Sequence, residues 1–178
     1  MSDPLLGVTV GGRYRVSRKL AEGGMGAVYE AEDLEAGGRL ALKVLHAHLH
    51  RDADKVERFR REALAATALG DEHIVEVRGF DMLDDGSGVY MAMELLEGRD
   101  LRALIQEEGP LPVARAVHVA RQIATALSAA HAKGIVHRDL KPENVFLVER
   151  DGDPDFVKLL DFGISKLQQT IEGVEELN

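Results

Sequence analysis

The hydrophobic pattern of this chain changes period partway along, and few folds accommodate both halves. Tyr14–Leu20 (YRVSRKL), Ala27–Asp33 (AVYEAED) and Arg39–Leu45 (RLALKVL) alternate with period two, which predicts strands. From Ala53 to Leu69 the spacing turns helical, with Val56, Phe59, Ala63, Ala66 and Leu69 on one side. His73–Phe80 and Val89–Leu95 read as strands again, split by a turn at Asp85–Gly88. Beyond Gly98 the pattern is mostly helical. Asp100 can cap a short helix through Gln106, Gly109-Pro110-Leu111-Pro112 breaks it, and Val113–Lys133 predicts a long helix closed by Gly134. Val145–Glu149 and Phe156–Leu160 flank Arg150–Asp155, which predicts a hairpin with a longer loop. The expectation is an α+β chain in two lobes. Residues 1–12 would be an extension, 13–95 a β-rich lobe with one main helix, and 96–178 a helical lobe, with a hinge near Glu94–Gly98.

Composition narrows the function classes. The chain has 178 residues and no cysteine, so disulfides, thiolate zinc sites and cysteine nucleophiles are excluded. A formal charge of −9 provides no basic stripe to displace counterions, which argues against a nucleic-acid partner. The start MSDPLLGVTVGG has no signal-peptide character, and no apolar run is long enough to span a bilayer. The expectation is a cytoplasmic segment.

Gly23, Gly24 and Gly26 lie in AEGGMGAVYEAE. A dinucleotide fingerprint places its glycines between a strand and a helix start, because the helix N-terminus holds the pyrophosphate. Here the following run alternates, so the glycines sit in a hairpin. Two readings stay open from this segment: a surface turn with nothing bound, or a flap whose backbone N–H groups cover nucleotide phosphates. Lys43 sits in the next strand among apolar neighbours, and Glu62 falls on the apolar arc of the first helix. Each alone is ordinarily a solvated residue. Together they suggest an inward pair in which each offsets the other's desolvation.

The most specific stretch is Gly134-Ile135-Val136-His137-Arg138-Asp139-Leu140-Lys141-Pro142-Glu143-Asn144-Val145-Phe146, followed after the hairpin by Leu160-Asp161-Phe162-Gly163. It places Asp139, Asn144 and Asp161 at the two ends of one short hairpin. Oxygen ligands of that kind suit Mg²⁺, a lysine suits phosphate charge, and a carboxylate can orient an accepting hydroxyl.

These motifs and their spacing resemble the eukaryotic-type protein serine/threonine kinases, from the start of the catalytic domain to just past Asp-Phe-Gly. The resemblance implies ATP and Mg²⁺ as cofactors and protein substrates bearing Ser or Thr. It implies that Gly23, Gly24 and Gly26 lie over the phosphates, and that Lys43 holds the α/β-phosphates and pairs with Glu62. Asp139 would be the catalytic base, Lys141 the balancing cation, and Asn144 and Asp161 the Mg²⁺ ligands. Val28, Ala41 and Phe146 would sandwich adenine, the main chain of Glu94 and Leu96 would read its edge, and Met93 would stand behind the pocket. Together these groups would meet one triphosphate–magnesium unit in a cleft. The Gly-Gly-Met-Gly turn is similar to that of many bacterial members, which are often membrane-tethered elsewhere in the chain.

Two departures from the family pattern matter. Ala21 replaces the first loop glycine, which is tolerable if its φ stays negative. The sequence stops at Asn178, before the Ala-Pro-Glu landmark and the lower helices of the second lobe. The helix Val113–Lys133, apolar at Val117, Val119, Ala120, Ile123, Ala124, Leu127 and Ala130, should therefore expose an apolar face suited to self-association or docking. Arg138 resembles an arginine that meets an activation-loop phosphate, and Thr170 is the only threonine after Asp161. The alternative to a kinase is a non-catalytic nucleotide-binding or protein-interaction module. A small-molecule phosphotransferase is a third reading, disfavoured by Lys141-Pro142-Glu143-Asn144.

Overall fold

The computed structural model describes residues 3–86 and 88–162. Gly163 and Thr170 lie outside the described residues. The chain divides into two compact units, Met1–Ala63 with Glu76–Leu95, and Leu64–Val75 with Leu96–Asn178.

The first unit is built on a six-stranded antiparallel sheet of order β1-β2-β3-β4-β6-β5. Its strands are β1 (Thr9–Val10), β2 (Tyr14–Glu22), β3 (Gly26–Asp33), β4 (Arg39–Leu45), β5 (Val77–Met82) and β6 (Val89–Glu94). Because side chains alternate across a strand, one face gathers Tyr29, Ala31, Leu40, Leu42, Val44, Tyr90 and Ala92 into a buried core. Val10, Tyr14 and Val16 close that core, and Leu5 packs against it. Residues 3–10 thus pack onto the sheet, and Asp3 accepts from the Tyr29 hydroxyl at 3.0 Å. The opposite face carries Val28 across from Lys43, and Ala41 across from Met93.

Helix α1 (Ala53–Leu69) follows β4. The Asp52 carboxylate accepts from Lys55 N–H at 3.2 Å, capping its first turn. Glu57 pairs with Arg60 and Arg61 one turn on, and those hydrogen bonds hold its carboxyl down at about 2. The last turn has no basic residue of its own. Lys133 supplies one, its Nζ donating to the Ala68 and Leu69 carbonyls at 2.8 and 2.6 Å.

The second unit holds β7 (Gly98–Asp100), α2 (Leu101–Glu108), α3 (Val113–Ala132), a 3₁₀ turn at Pro142–Asn144, β8 (Val145–Arg150) and β9 (Asp153–Leu159). Asp100 caps α2 as its sequence suggests, accepting from Ala103 N–H at 2.8 Å. The core beneath α3 joins Leu104, Val119, Ala126 and Ala130 to Leu147, Val157, Leu159 and Phe162.

Three local expectations change. Gly98 opens β7, which pairs with β8, rather than only interrupting the chain. The hairpin loop is tight: Arg150 pairs with Asp153 across Asp151 and Gly152, whose φ values of 51° and 83° mark a primed turn. The run His73–Phe80 is split. Residues 73–75 bond to the end of β9, with Leu159 N–H donating to His73 O and Val75 N–H to Leu159 O, while β5 begins at Val77. On α3, Val119 and Ala130 are buried, whereas Val113 and Val117 are 81% and 61% exposed. Ala120 and Ala124 are exposed as well.

Candidate functional site

In the first unit the glycine turn joins β2 to β3. Gly23 N–H donates to Gly26 O at 2.8 Å. A Cβ on Gly26 would lie 2.1 Å from the Val44 carbonyl oxygen, so β4 itself requires glycine there. Gly24 has nothing within 4 Å of such a Cβ, and Gly23 only the Gly26 carbonyl at 3.9 Å. Neither has a positive φ. The fold leaves room for side chains at both. Ala21 sits in β2 opposite Val28, also without positive φ.

Lys43 and Glu62 come together. Lys43 Nζ lies 2.8 Å from Glu62 Oε1, with side chains 14% and 17% exposed. Lys43 Nζ also stands 5.9 Å from the centre of the Phe59 ring. The register that sets Val28 across from Lys43 and Ala41 across from Met93 puts these four on one face. Glu94 is tied into the strand end: its N–H donates to Glu76 O at 2.9 Å, and its Oε1 accepts from Glu76 N–H at 2.8 Å.

In the second unit the loop after α3 is held by His137, which is 2% exposed. Its Nε2 donates to Leu160 O at 3.0 Å, while Asp139 N–H donates to the His137 carbonyl at 2.8 Å and, more weakly, to Nδ1 at 3.4 Å. Burial lowers its pKa, which favours the neutral imidazole. The ring packs on Phe162 with centroids 4.6 Å apart. The sequence pattern does not single out His137, which follows the apolar Ile135-Val136 and precedes the charged Arg138-Asp139.

Around that anchor, Lys141 Nζ lies 2.8 Å from Asp139 Oδ2. The hydrogen bond to Asp139 raises the lysine pKa above its ordinary value against the opposing cost of desolvation, so the ammonium stays charged. Asn144 is buried, and its Nδ2 donates to Asp139 O at 2.9 Å. Leu160 N–H donates to Asn144 O at 2.9 Å, which sets Asp161 one residue from Asn144's backbone. Arg138 and Asp161 take φ values of 61° and 48°, a strained region for side-chain-bearing residues. Phe146 lies on β8 opposite Lys158, and Leu96 precedes β7.

A family profile described as the protein kinase domain matches residues 14–176. The chain belongs to that family. Among kinase relatives, "Serine/threonine-protein kinase Pkn1" of Myxococcus xanthus is 50% identical over 165 residues, covering 93% of this chain and 23% of Pkn1. "Serine/threonine-protein kinase PknA" of Mycobacterium tuberculosis is 41% identical over 167 residues, covering 92% of this chain and 38% of PknA. The crystal structure of the M. tuberculosis PknI kinase domain superposes with a TM-score of 0.75 at 35% identity, covering 89% of this chain and 61% of that one. The chain thus spans well under half the length of these two curated relatives. The kinase fold is present as a β-rich lobe with one main helix and a partly helical second lobe.

The kinase residues suit magnesium. Among the described residues no three acidic or histidine side chains converge as a protein cage. Mg²⁺ does not need one, since it commonly takes one or two carboxylates and completes its shell with phosphate oxygens and water. Asn144's amide nitrogen is committed to Asp139, so its carbonyl oxygen is the end suited to a hard cation. Asp161 is an exposed carboxylate. Among the described residues no helix is long and apolar enough to cross a membrane.

Proposed function

We propose that this chain carries the catalytic machinery of an ATP-dependent protein serine/threonine kinase, moving the γ-phosphoryl group of ATP to Ser or Thr hydroxyls of protein substrates. The observation that carries this reading is the Asp139–Lys141–Asn144 cluster, with Lys141 Nζ 2.8 Å from Asp139 Oδ2 and Asn144 Nδ2 2.9 Å from Asp139 O.

Phosphoryl transfer makes little covalent demand on a protein, so the work is positioning and charge compensation. Asp139 accepts the proton of the attacking hydroxyl and orients its oxygen. Lys141, held cationic by Asp139, balances charge on the equatorial phosphoryl oxygens. Lys43, oriented by Glu62, holds the α- and β-phosphates, and the turn of Gly23, Gly24 and Gly26 covers them with N–H groups. Val28, Ala41 and Phe146 enclose the adenine, Met93 stands behind it, and the main chain of Glu94 and Leu96 reads its edge. Asn144 and Asp161 would hold Mg²⁺, which when bound neutralises phosphate charge and fixes the triphosphate geometry.

The test is transfer of labelled phosphate from ATP to a generic acceptor protein. Transfer should disappear in Asp139→Asn while nucleotide binding survives. Nucleotide binding without transfer in the wild-type, natural-length protein would leave a non-catalytic binding module instead.

A further inference from the structure

His46 follows directly on β4, and it holds the glycine turn at two points. Its imidazole Nε2 lies 2.9 Å from Gly23 O, and because a carbonyl can only accept, the ring donates. Its main-chain N–H donates to Met25 O at 3.0 Å. The ring is itself steadied by His48, stacked with centroids 5.6 Å apart and planes inclined by 20°.

This arrangement has a consequence for the turn's donors. In a closed four-residue turn the Gly23 carbonyl would accept from Gly26 N–H. Here that carbonyl points to the imidazole instead. A trans peptide is planar, with its C=O and the following N–H pointing opposite ways. Turning the Gly23 carbonyl toward His46 therefore turns Gly24 N–H away from it. The same holds two residues on, where the Met25 carbonyl faces His46 and Gly26 N–H faces away. Gly23 N–H is already committed to Gly26 O.

We infer that His46 is a positioning residue for triphosphate binding: with its side chain fixing the Gly23 carbonyl and its main chain the Met25 carbonyl, it turns the Gly24 N–H, through the imidazole, and the Gly26 N–H, through the backbone, toward the phosphate oxygens. The inference rests on the phosphate-covering role proposed above for the turn. Without the imidazole the Gly23–Gly24 peptide plane is free to rotate, since the main-chain bonds from His46 N–H to Met25 O and from Gly23 N–H to Gly26 O restrain only its neighbours. Adenosine, lacking phosphates, should be indifferent to His46. A triphosphate should not be.

The experiment compares calorimetric affinities of the natural-length protein for magnesium adenylyl imidodiphosphate and for adenosine. His46→Phe should weaken the triphosphate analogue on the order of tenfold, the worth of one turn N–H bond to a charged phosphate oxygen, and leave adenosine unchanged. His46→Gln, whose amide nitrogen reaches about as far as Nε2, should restore affinity. His46→Asn, one methylene shorter, should not. A role in fold stability alone would lower Tm and weaken both ligands equally, and that result overturns the inference. So does unaltered triphosphate affinity in His46→Phe beside a clear loss in Lys43→Met, which would leave the nucleotide site standing. Equal affinity in wild type and Lys43→Met would sink the nucleotide site and the inference with it. If His46→Phe does not fold, the Gln–Asn pair decides alone: equal affinities refute the clasp.

Discussion

Gly26 faces Val44 so closely that a single added methyl would sit 2.1 Å from the Val44 carbonyl oxygen. The obstacle is main chain of the adjacent strand, which cannot rotate aside. The three glycines of the turn therefore divide into one demanded by the sheet and two, Gly23 and Gly24, that the sheet does not demand. Gly26→Ala should lower stability by about 1–3 kcal/mol through overpacking, read as a shift of the urea midpoint. Gly23→Ala and Gly24→Ala should leave the midpoint nearly unchanged and instead weaken triphosphate binding. A stable Gly26→Ala variant would mean β3 and β4 are looser than their register implies.

Lys43 and Glu62 are each more than four-fifths buried and 2.8 Å apart, so each would be costly alone. Lys43→Met and Glu62→Leu should each destabilise by about 1–3 kcal/mol, because the remaining charge loses its 2.8 Å counter-charge in a poorly hydrated place. The double variant should recover part of that loss, giving a coupling of about 1 kcal/mol in a double-mutant cycle. Phosphoryl transfer should stay absent in the double variant despite regained stability. Additive stability effects would show that solvent reaches the pair more freely than its burial indicates.

Period and register made much of this architecture legible. Arg39–Leu45 and Ala53–Leu69 emerge with the same ends that their alternation and helical spacing suggest. Lys43 and Glu62 could be paired because both broke an apolar pattern on elements consecutive in sequence. What stayed hidden depends on partners remote in sequence. The stretch 73–75 looks like the start of β5 until Leu159 is seen to take its hydrogen bonds. The run Arg150–Asp155 reads as a longer loop in sequence, yet the φ > 0 pair Asp151-Gly152 turns the chain in two residues and leaves Pro154 in β9. The clasp by His46 carries no period at all, since it depends on where one imidazole points.

His137 should make stability pH-dependent in a definite direction. Its folded-state pKa is depressed by burial below the ordinary 6.5. The unfolded chain therefore takes up a proton before the folded one does, and the stabilisation present above 6.5 is lost as pH falls through the folded pKa. Protonation also removes Nδ1 as an acceptor for Asp139 N–H. NMR titration of the imidazole should give a midpoint below 6.5, and the Asp139 amide resonance should move with it. A midpoint at or above the ordinary value would show that the ring is hydrated or paired with an anion.

Gln122 is a polar residue buried on α3, and it stands in for a strand at the open edge of β9. Its Oε1 accepts from Val157 N–H at 3.0 Å and its Nε2 donates to Asp155 O at 2.9 Å, the two bonds a neighbouring peptide would make. Arg115 reinforces the same edge through two bonds to Asp155 at 2.7 and 2.8 Å. Gln122→Met keeps the volume but strands a buried donor and acceptor, so it should cost about 2 kcal/mol. Gln122→Glu keeps only the acceptor half and sets a carboxylate against the Asp155 carbonyl, so it should cost at least as much. Since β9 leads directly to Asp161, loosening its edge should loosen the proposed metal ligand too. Amide exchange at Val157 should accelerate in both variants while Leu42, in the other unit's core, keeps its protection. Equal acceleration at both amides would mean the chain opens only as a whole and that the Gln122 bonds do not stabilise β9 locally.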